Sequence, residues 1–290
     1  MRIPRPIAPL PATLLAFALV LSGSWASRAD SEAPASVDAV PAGVVGVVGS
    51  VDEVLDCVKL NAPTESSEQL VEFSAFDRIG GKRVSRAKIL GKRFESDSLR
   101  RVLLRFTKPL EVRGSAFLAI EQDTGSPDMF LYTPEIRKTK RVTGQGGGGK
   151  LFGTDFSYED FARWQGLNQP GASERLPDAV EAGKPVWVVQ TRPAAEAESS
   201  YDRVVFFVDR ETCVTLKTES YERGDEPRKI LTADPGQLLE EGGVWFATEL
   251  LMRDLRDETH TQVVIEDVEV DRGLKDSVFS LSKLDRNRGR

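Results

Sequence analysis

The chain has 290 residues, of which 40% are hydrophobic and 29% charged, with a formal net charge of −6. That acidic balance argues against broad nucleic-acid binding, which needs a basic face. One histidine and two cysteines cannot build a zinc tetrad, and with no GxSxG elbow a serine hydrolase relay has no home. No enzymatic activity, catalytic residue, metal or cofactor is therefore expected.

Residues 1–26 read as a cleaved signal peptide: Arg2 and Arg5 precede the apolar run Leu10 to Leu21, and small residues surround Ser24 to Ala26. The run is too short to be a stable membrane span. No cysteine follows it, so no acyl anchor is expected. Cleavage after Ala26 removes both arginines and no acid, which takes the net charge from −6 to −8. The expected location is the periplasm, where nucleotide is scarce. Residues 27–49, rich in Ala, Pro, Gly and Val, read as a flexible leader, and residues 50–290 as one domain without repeats.

Ser50 and Glu53 have capping-box spacing ahead of Val51, Val54, Leu55 and Val58, which recur at helical period. A first helix is expected to about Leu60, stopping before Pro63. From Glu68 the period becomes two. Val71 and Phe73 form one set, Val102, Leu104 and Phe106 another, and Ala116, Leu118 and Ile120 a third. Later runs are Val186 to Gln190, Val204 to Val208, Cys213 to Tyr221, Lys229 to Thr232, Val244 to Met252 and Thr261 to Val268. About ten strands joined by polar turns predict a mainly β chain with a strongly curved antiparallel sheet. Such a sheet fills its inner face either with its own side chains or with a ligand.

Parity assigns Val71, Phe73, Val102, Leu104, Phe106, Phe206, Phe246 and Leu250 to that inner face, since the alternate positions carry Glu72, Arg105 or Glu249. Phe207 and Trp245 fall on the opposite parity and are expected to pack outside, under the helix or at an edge. Cys57 and Cys213 are an even pair in an oxidising compartment, which favours a disulfide over two buried thiols.

The most particular stretch is Pro127 to Gly166: a strand from Met129 to Tyr132, a turn at Thr133-Pro134, the basic segment Arg137 to Arg141, and a glycine tract. Gly144 to Lys150 (GQGGGGK) imitates the start of a phosphate-cradling loop. Leu151, however, stands where a hydroxyl should reach Mg²⁺, so no nucleotide is expected. The basic segment either meets an anionic partner or is a solvated strand face. Ser157 and Asp160 then cap a helix presenting Tyr158, Phe161 and Trp164, with Asp155, Glu159 and Asp160 read as helix-start charge rather than metal ligands. The glycine tract and this helix are expected to form a hinged flap, or else a plain surface loop.

"MFLYTPEIRKTKRVTG" followed by "GTDFSYEDF" resembles the signature of the LolA-like family, periplasmic relatives of the outer-membrane lipoprotein-sorting carrier. The matching positions are Tyr132, Pro134, Arg137, Arg141, Gly153, Asp155, Phe156, Tyr158, Glu159 and Asp160. A weaker likeness runs from Val51 to Leu284 and includes Phe279 to Leu281. The long glycine run departs from the family pattern. The resemblance implies an incomplete β-barrel whose concave face is covered by an N-terminal helix and a helical flap, with Phe156 and Tyr158 closing the mouth. It also implies lipid or lipoprotein acyl chains as cargo, and an inner-membrane transporter and an outer-membrane acceptor as partners. The rival expectation is a non-carrier envelope module, accessory to a transporter, with a filled core.

Overall fold

The computed structural model of the chain describes residues 49–167 and 169–284. The expected signal peptide and nearly all of the leader lie outside the described residues. The fold belongs to one compact unit, Val44–Arg290.

Helix α1 spans Val51–Leu60. Its start is the expected capping box: the Ser50 hydroxyl accepts from the Glu53 amide at 3.2 Å, and the Glu53 carboxylate accepts from the Ser50 amide at 2.5 Å. Asp52 and Glu53 add favourable charge in the first turn. Val54, on its apolar stripe, is fully buried against Val189 and Val208.

Fifteen strands follow. They are β1 (Ser66–Phe76), β2 (Lys82–Arg93), β3 (Arg100–Lys108), β4 (Ala116–Ile120), β5 (Asp128–Thr133), β6 (Lys138–Val142), β7 (Gly171–Glu181) and β8 (Lys184–Pro193), then β9 (Arg203–Asp209), β10 (Thr215–Tyr221), β11 (Lys229–Ala233), β12 (Leu238–Glu241), β13 (Val244–Ala247), β14 (Glu249–Asp254) and β15 (Thr259–Val270). Helix α2 (Tyr158–Trp164) lies between β6 and β7, and α3 (Leu281–Leu284) closes the described chain. Thirteen strands form one sheet in the order β6-β5-β4-β3-β2-β1-β15-β14-β11-β10-β9-β8-β7, which is antiparallel throughout and does not close. The strands at the middle of the sheet, β1 and β15, come from opposite ends of the domain, so it is assembled by long-range pairing.

Strands β2, β7 and β12 fall outside the expected runs. Strand β2 (KRVSRAKILGKR) carries Lys82, Arg86, Lys88 and Lys92 on one face, which hides its period. Strand β7 carries Pro177, which an edge strand tolerates because it needs no amide there. The expected single run Val244 to Met252 divides at Thr248 into β13, paired with β12 in a separate two-stranded sheet, and β14 of the main sheet.

The two faces of the sheet are covered differently. On the outer face Phe94, Leu103, Leu118 and Tyr132 pack under the C-terminal segment through Phe279 and Leu284. The inner face divides into two halves. Over β1–β5 it is filled: Phe73, Val102, Leu104, Phe106 and Phe117, each 0 or 1% exposed, meet Leu151, Phe156 and Phe161. Over β8–β11 it faces α1 and the β12–β13 hairpin.

Candidate functional site

The segment Gly153 to Glu159 that carried the family likeness is a latch. The Asp155 carboxylate accepts from the hydroxyl of Thr261 at 2.7 Å and from that of Thr259, both on β15. The Asp155 amide donates to Thr261 Oγ1 at 2.9 Å, and the Asp155 carbonyl accepts from Lys229 Nζ at 2.8 Å. Asp160 completes the capping box of α2 with Ser157, and it also accepts from Tyr201 Oη at 3.1 Å and Lys229 Nζ at 2.9 Å. Glu159 accepts from the Ser200 amide at 3.0 Å, from Arg163 at 2.6 Å and from the Ser199 hydroxyl.

These buried charges are held by one another. Burial alone would raise the Asp160 carboxyl, but Lys229 and Arg163 outweigh it and hold it below the usual carboxylate range. Burial and the neighbouring Asp160 push the Tyr201 hydroxyl well up. The acids at this helix start therefore clamp α2 to β11, β15 and the turn before β9.

The glycine tract is seated rather than hinged. Lys150 pairs with Ser157 in an antiparallel bridge, and the Leu151 amide donates to the Phe156 carbonyl at 2.8 Å. Leu151 and Phe156 are both fully buried. A Cβ on Gly148 would collide with the Ser200 hydroxyl, and one on Gly149 would press the Tyr158 ring at 3.1 Å. Glycine is required here by close packing. Lys150 ion-pairs with Asp257 at 2.9 Å, so it does not face a phosphate cradle.

Phe156 and Tyr158 accordingly do not stand at a mouth. Phe156 packs on Phe73 and Trp164 with ring centres 6.3 and 5.5 Å apart, and Tyr158 stacks on Phe117 at 5.3 Å. Tyr132 is buried on the outer face, and Pro134 lies in the β5–β6 turn, which Arg137 helps to close with φ 49°. Arg141 ion-pairs with Asp128 across β5 and β6. Gly153 has φ +81° and abuts Arg83.

Beyond the latch a cavity of about 440 Å³ opens between α1, the C-terminal end of α2, β8–β11 and the β12–β13 hairpin. Of the eight predicted inner residues, Phe206, Phe246 and Leu250 line it. Val71, Phe73, Val102, Leu104 and Phe106 lie in the filled half. Period-two alternation identifies the inner face but does not say which part of it α2 covers. Trp245 also lines the cavity, contrary to its parity, because it belongs to the separate hairpin. Phe207 lies on the opposite face from Phe206, under Lys217.

Sequence reasoning missed Val189, Val204, Val208, Leu231 and Met252 in this wall. Val204 and Val208 share the parity of Phe206 and could have been found from it. Lys229 and Tyr201 carry no sequence signal at all, since their role depends on where β11 and the 199–201 turn meet α2.

Two fastenings hold α1 over the cavity. A disulfide joins Cys57 to Cys213, with Cα atoms 5.5 Å apart. The Asn61 amide pairs with the Trp245 backbone, donating to its carbonyl at 3.0 Å and accepting from its N–H at 2.7 Å. Most of the wall is apolar, but Arg100, Gln69, Gln165 and Gln169 line part of it. Among the described residues no helix is long and apolar enough to cross a membrane, and no cluster of three or more potential ligands is placed to hold a metal.

An unclosed antiparallel sheet carrying a helix and a latched segment on its inner face defines a LolA-like fold. A family model described as "-like: uncharacterized protein" matches residues 98–286, and the chain belongs to that family. Three solved structures are similar. A domain described as a candidate outer membrane lipoprotein-sorting protein from Vibrio parahaemolyticus is 23% identical, with TM-score 0.71, over 81% of this chain and 97% of that one. A DUF1329 family protein from Desulfovibrio piger is 21% identical, with TM-score 0.73, over 81% and 99%. A LolA superfamily protein from Nitrosomonas europaea is 17% identical, with TM-score 0.63, over 81% and 99%. Comparison with curated proteins finds no match.

Proposed function

We propose that the protein is a periplasmic carrier that shields an acyl chain, of a lipid or a lipoprotein, in the cavity beneath α1. The observation that carries this reading is an apolar cavity of about 440 Å³, within the range of about 300–1,000 Å³ usual for ligand sites, in a domain whose other inner half is densely packed. Holding a chain of about fourteen carbons in water costs on the order of 11 kcal/mol, so transit between membranes requires such a shelter. A relative described as a candidate for outer membrane lipoprotein sorting agrees with this reading. Export through the signal peptide, a donor at the inner membrane and an acceptor at the outer membrane belong to the same proposal.

The test is lipid extraction and mass spectrometry of mature protein purified from the periplasm without detergent, followed by titration with a fluorescent fatty acid. Stoichiometric acyl lipid and saturable uptake are expected. Protein that is free of lipid and takes up no probe would instead be a non-carrier module of the envelope.

A further inference from the structure

Arg100 begins β3 on the same face as Val102 and Leu104, and it lines the cavity. It is 8% exposed. Its guanidinium lies over Gly91, where a Cβ would come within 3.2 Å of Nη2, so the glycine leaves room for it. Among the described residues its Nε has no hydrogen-bond partner and no carboxylate forms an ion pair with it. Glu121, the acid it senses, spends its carboxylate on the backbone N–H of Arg100 at 2.7 Å.

The other cations of the wall are committed: Arg163 to Glu159 at 2.6 Å, and Lys59 to Asp56 at 3.2 Å. Burial and repulsion from Arg93 lower the Arg100 pKa to about 10, so it stays charged at neutral pH. A buried, unpaired guanidinium is unfavourable unless something supplies the missing charge.

We propose that Arg100 receives the anionic head group, carboxylate or phosphate, of a single-chain amphiphile whose tail fills the part of the cavity lined by Val58, Phe206 and Phe246. The planar fork of the guanidinium matches two oxygens of either group. This inference rests on the carrier reading and adds to it the polarity and class of the cargo.

The test is displacement of a fluorescent acyl probe from the mature full-length protein by hexadecanoic acid, hexadecyl phosphate, hexadecanol or inorganic phosphate. The two acids should bind about tenfold or more tightly than the alcohol, and inorganic phosphate should not compete. In Arg100→Gln the acids should fall to the level of the alcohol, whose affinity stays unchanged. The ligand-free variant should melt no lower than the parent, because it loses only an uncompensated charge. Arg100→Lys, which keeps the charge but not the fork, should retain part of the preference.

Equal binding of acid and alcohol to the parent overturns the head-group role and leaves the carrier reading intact. A preference that survives in Arg100→Gln overturns the assignment to this residue. Displacement by inorganic phosphate alone would mark a free-anion site and overturn the amphiphile. Failure of the probe to bind at all overturns the carrier reading and this inference with it.

Discussion

Lys229 Nζ lies 2.9 Å from an Asp160 carboxylate oxygen, joining strand β11 to the first turn of helix α2 in a place where both side chains are buried. The same ammonium donates to the Asp155 carbonyl, and the same carboxylate accepts from Tyr201. Removing Lys229 leaves the buried Asp160 carboxylate with only Arg163, at 3.6 Å, to offset its charge, and breaking a buried pair typically costs about 3–5 kcal/mol. Lys229→Met is therefore expected to lower stability by that amount in urea unfolding. A loss below about 1 kcal/mol would show that the latch is dispensable.

The same pair predicts a pH dependence. An unfolded aspartate titrates near about 3.9, and the folded Asp160 titrates lower because Lys229 and Arg163 favour its charged form. Its contribution is present in full above the unfolded value and is lost as pH falls through the folded one. Unfolding free energy measured from neutral to acid pH should drop more steeply in the parent than in Asp160→Asn below about pH 4. Parallel curves would contradict the assignment.

The Cys57–Cys213 bond closes a loop with sequence separation 156. Chain entropy puts its contribution at up to about 4–5 kcal/mol. Protein purified without reductant should show no free thiol when denatured. Cys213→Ser should lower stability and speed release of a bound probe, since α1 then keeps only its Asn61 fastening. Two titratable thiols in the native preparation would refute the pairing.

Opposite halves of the inner face should answer differently to the same substitution. Leu104→Glu buries a charge in the filled half and is expected to unfold the domain, while Leu104→Ala should cost about 2–5 kcal/mol. Phe246→Glu places the charge in the cavity, where water can solvate it. A folded circular dichroism spectrum with probe uptake lost is expected. Unfolding of both variants would mean that the space beneath α1 is not open.

Lys150 and Asp257 form a half-exposed pair, so Lys150→Ala should change stability by no more than about 1 kcal/mol. Calorimetry of the parent with Mg-ATP should show no heat of binding. Micromolar affinity abolished by that substitution would reverse this reading of the glycine tract.

The local rules were legible in the sequence where a side chain's role depends on its near neighbours. Ser50 with Glu53 and Ser157 with Asp160 mark two helix starts by spacing alone, and Val102, Leu104 and Phe106 mark an inner face by alternation. What could not be read was set by distant chain segments. Leu104 and Phe206 have the same pattern, yet one is covered by Phe156 and its neighbours and the other faces a cavity, because α2 reaches only half the sheet. Arg100 looks like one member of the Arg100-Arg101 pair; its isolation appears only once Gly91 and Ser67 are placed beside its guanidinium. Lys229 sits in an unremarkable strand until β11 is set beside β14 and under Asp160.

A sheet that never closes has two rims, each with a row of backbone donors and acceptors that a second chain could pair with. On the β6 rim, Lys138, Lys140 and Arg141 set like charges along the strand, so two copies approaching rim to rim would repel. On the β7 rim the ladder slips between Leu176 and Ala179, where Pro177 offers no amide at all. The basic segment that suggested a partner thus also works as a guard, and the proline that concealed β7 from prediction guards the other side. Both features disfavour edge-to-edge pairing between copies of an open sheet.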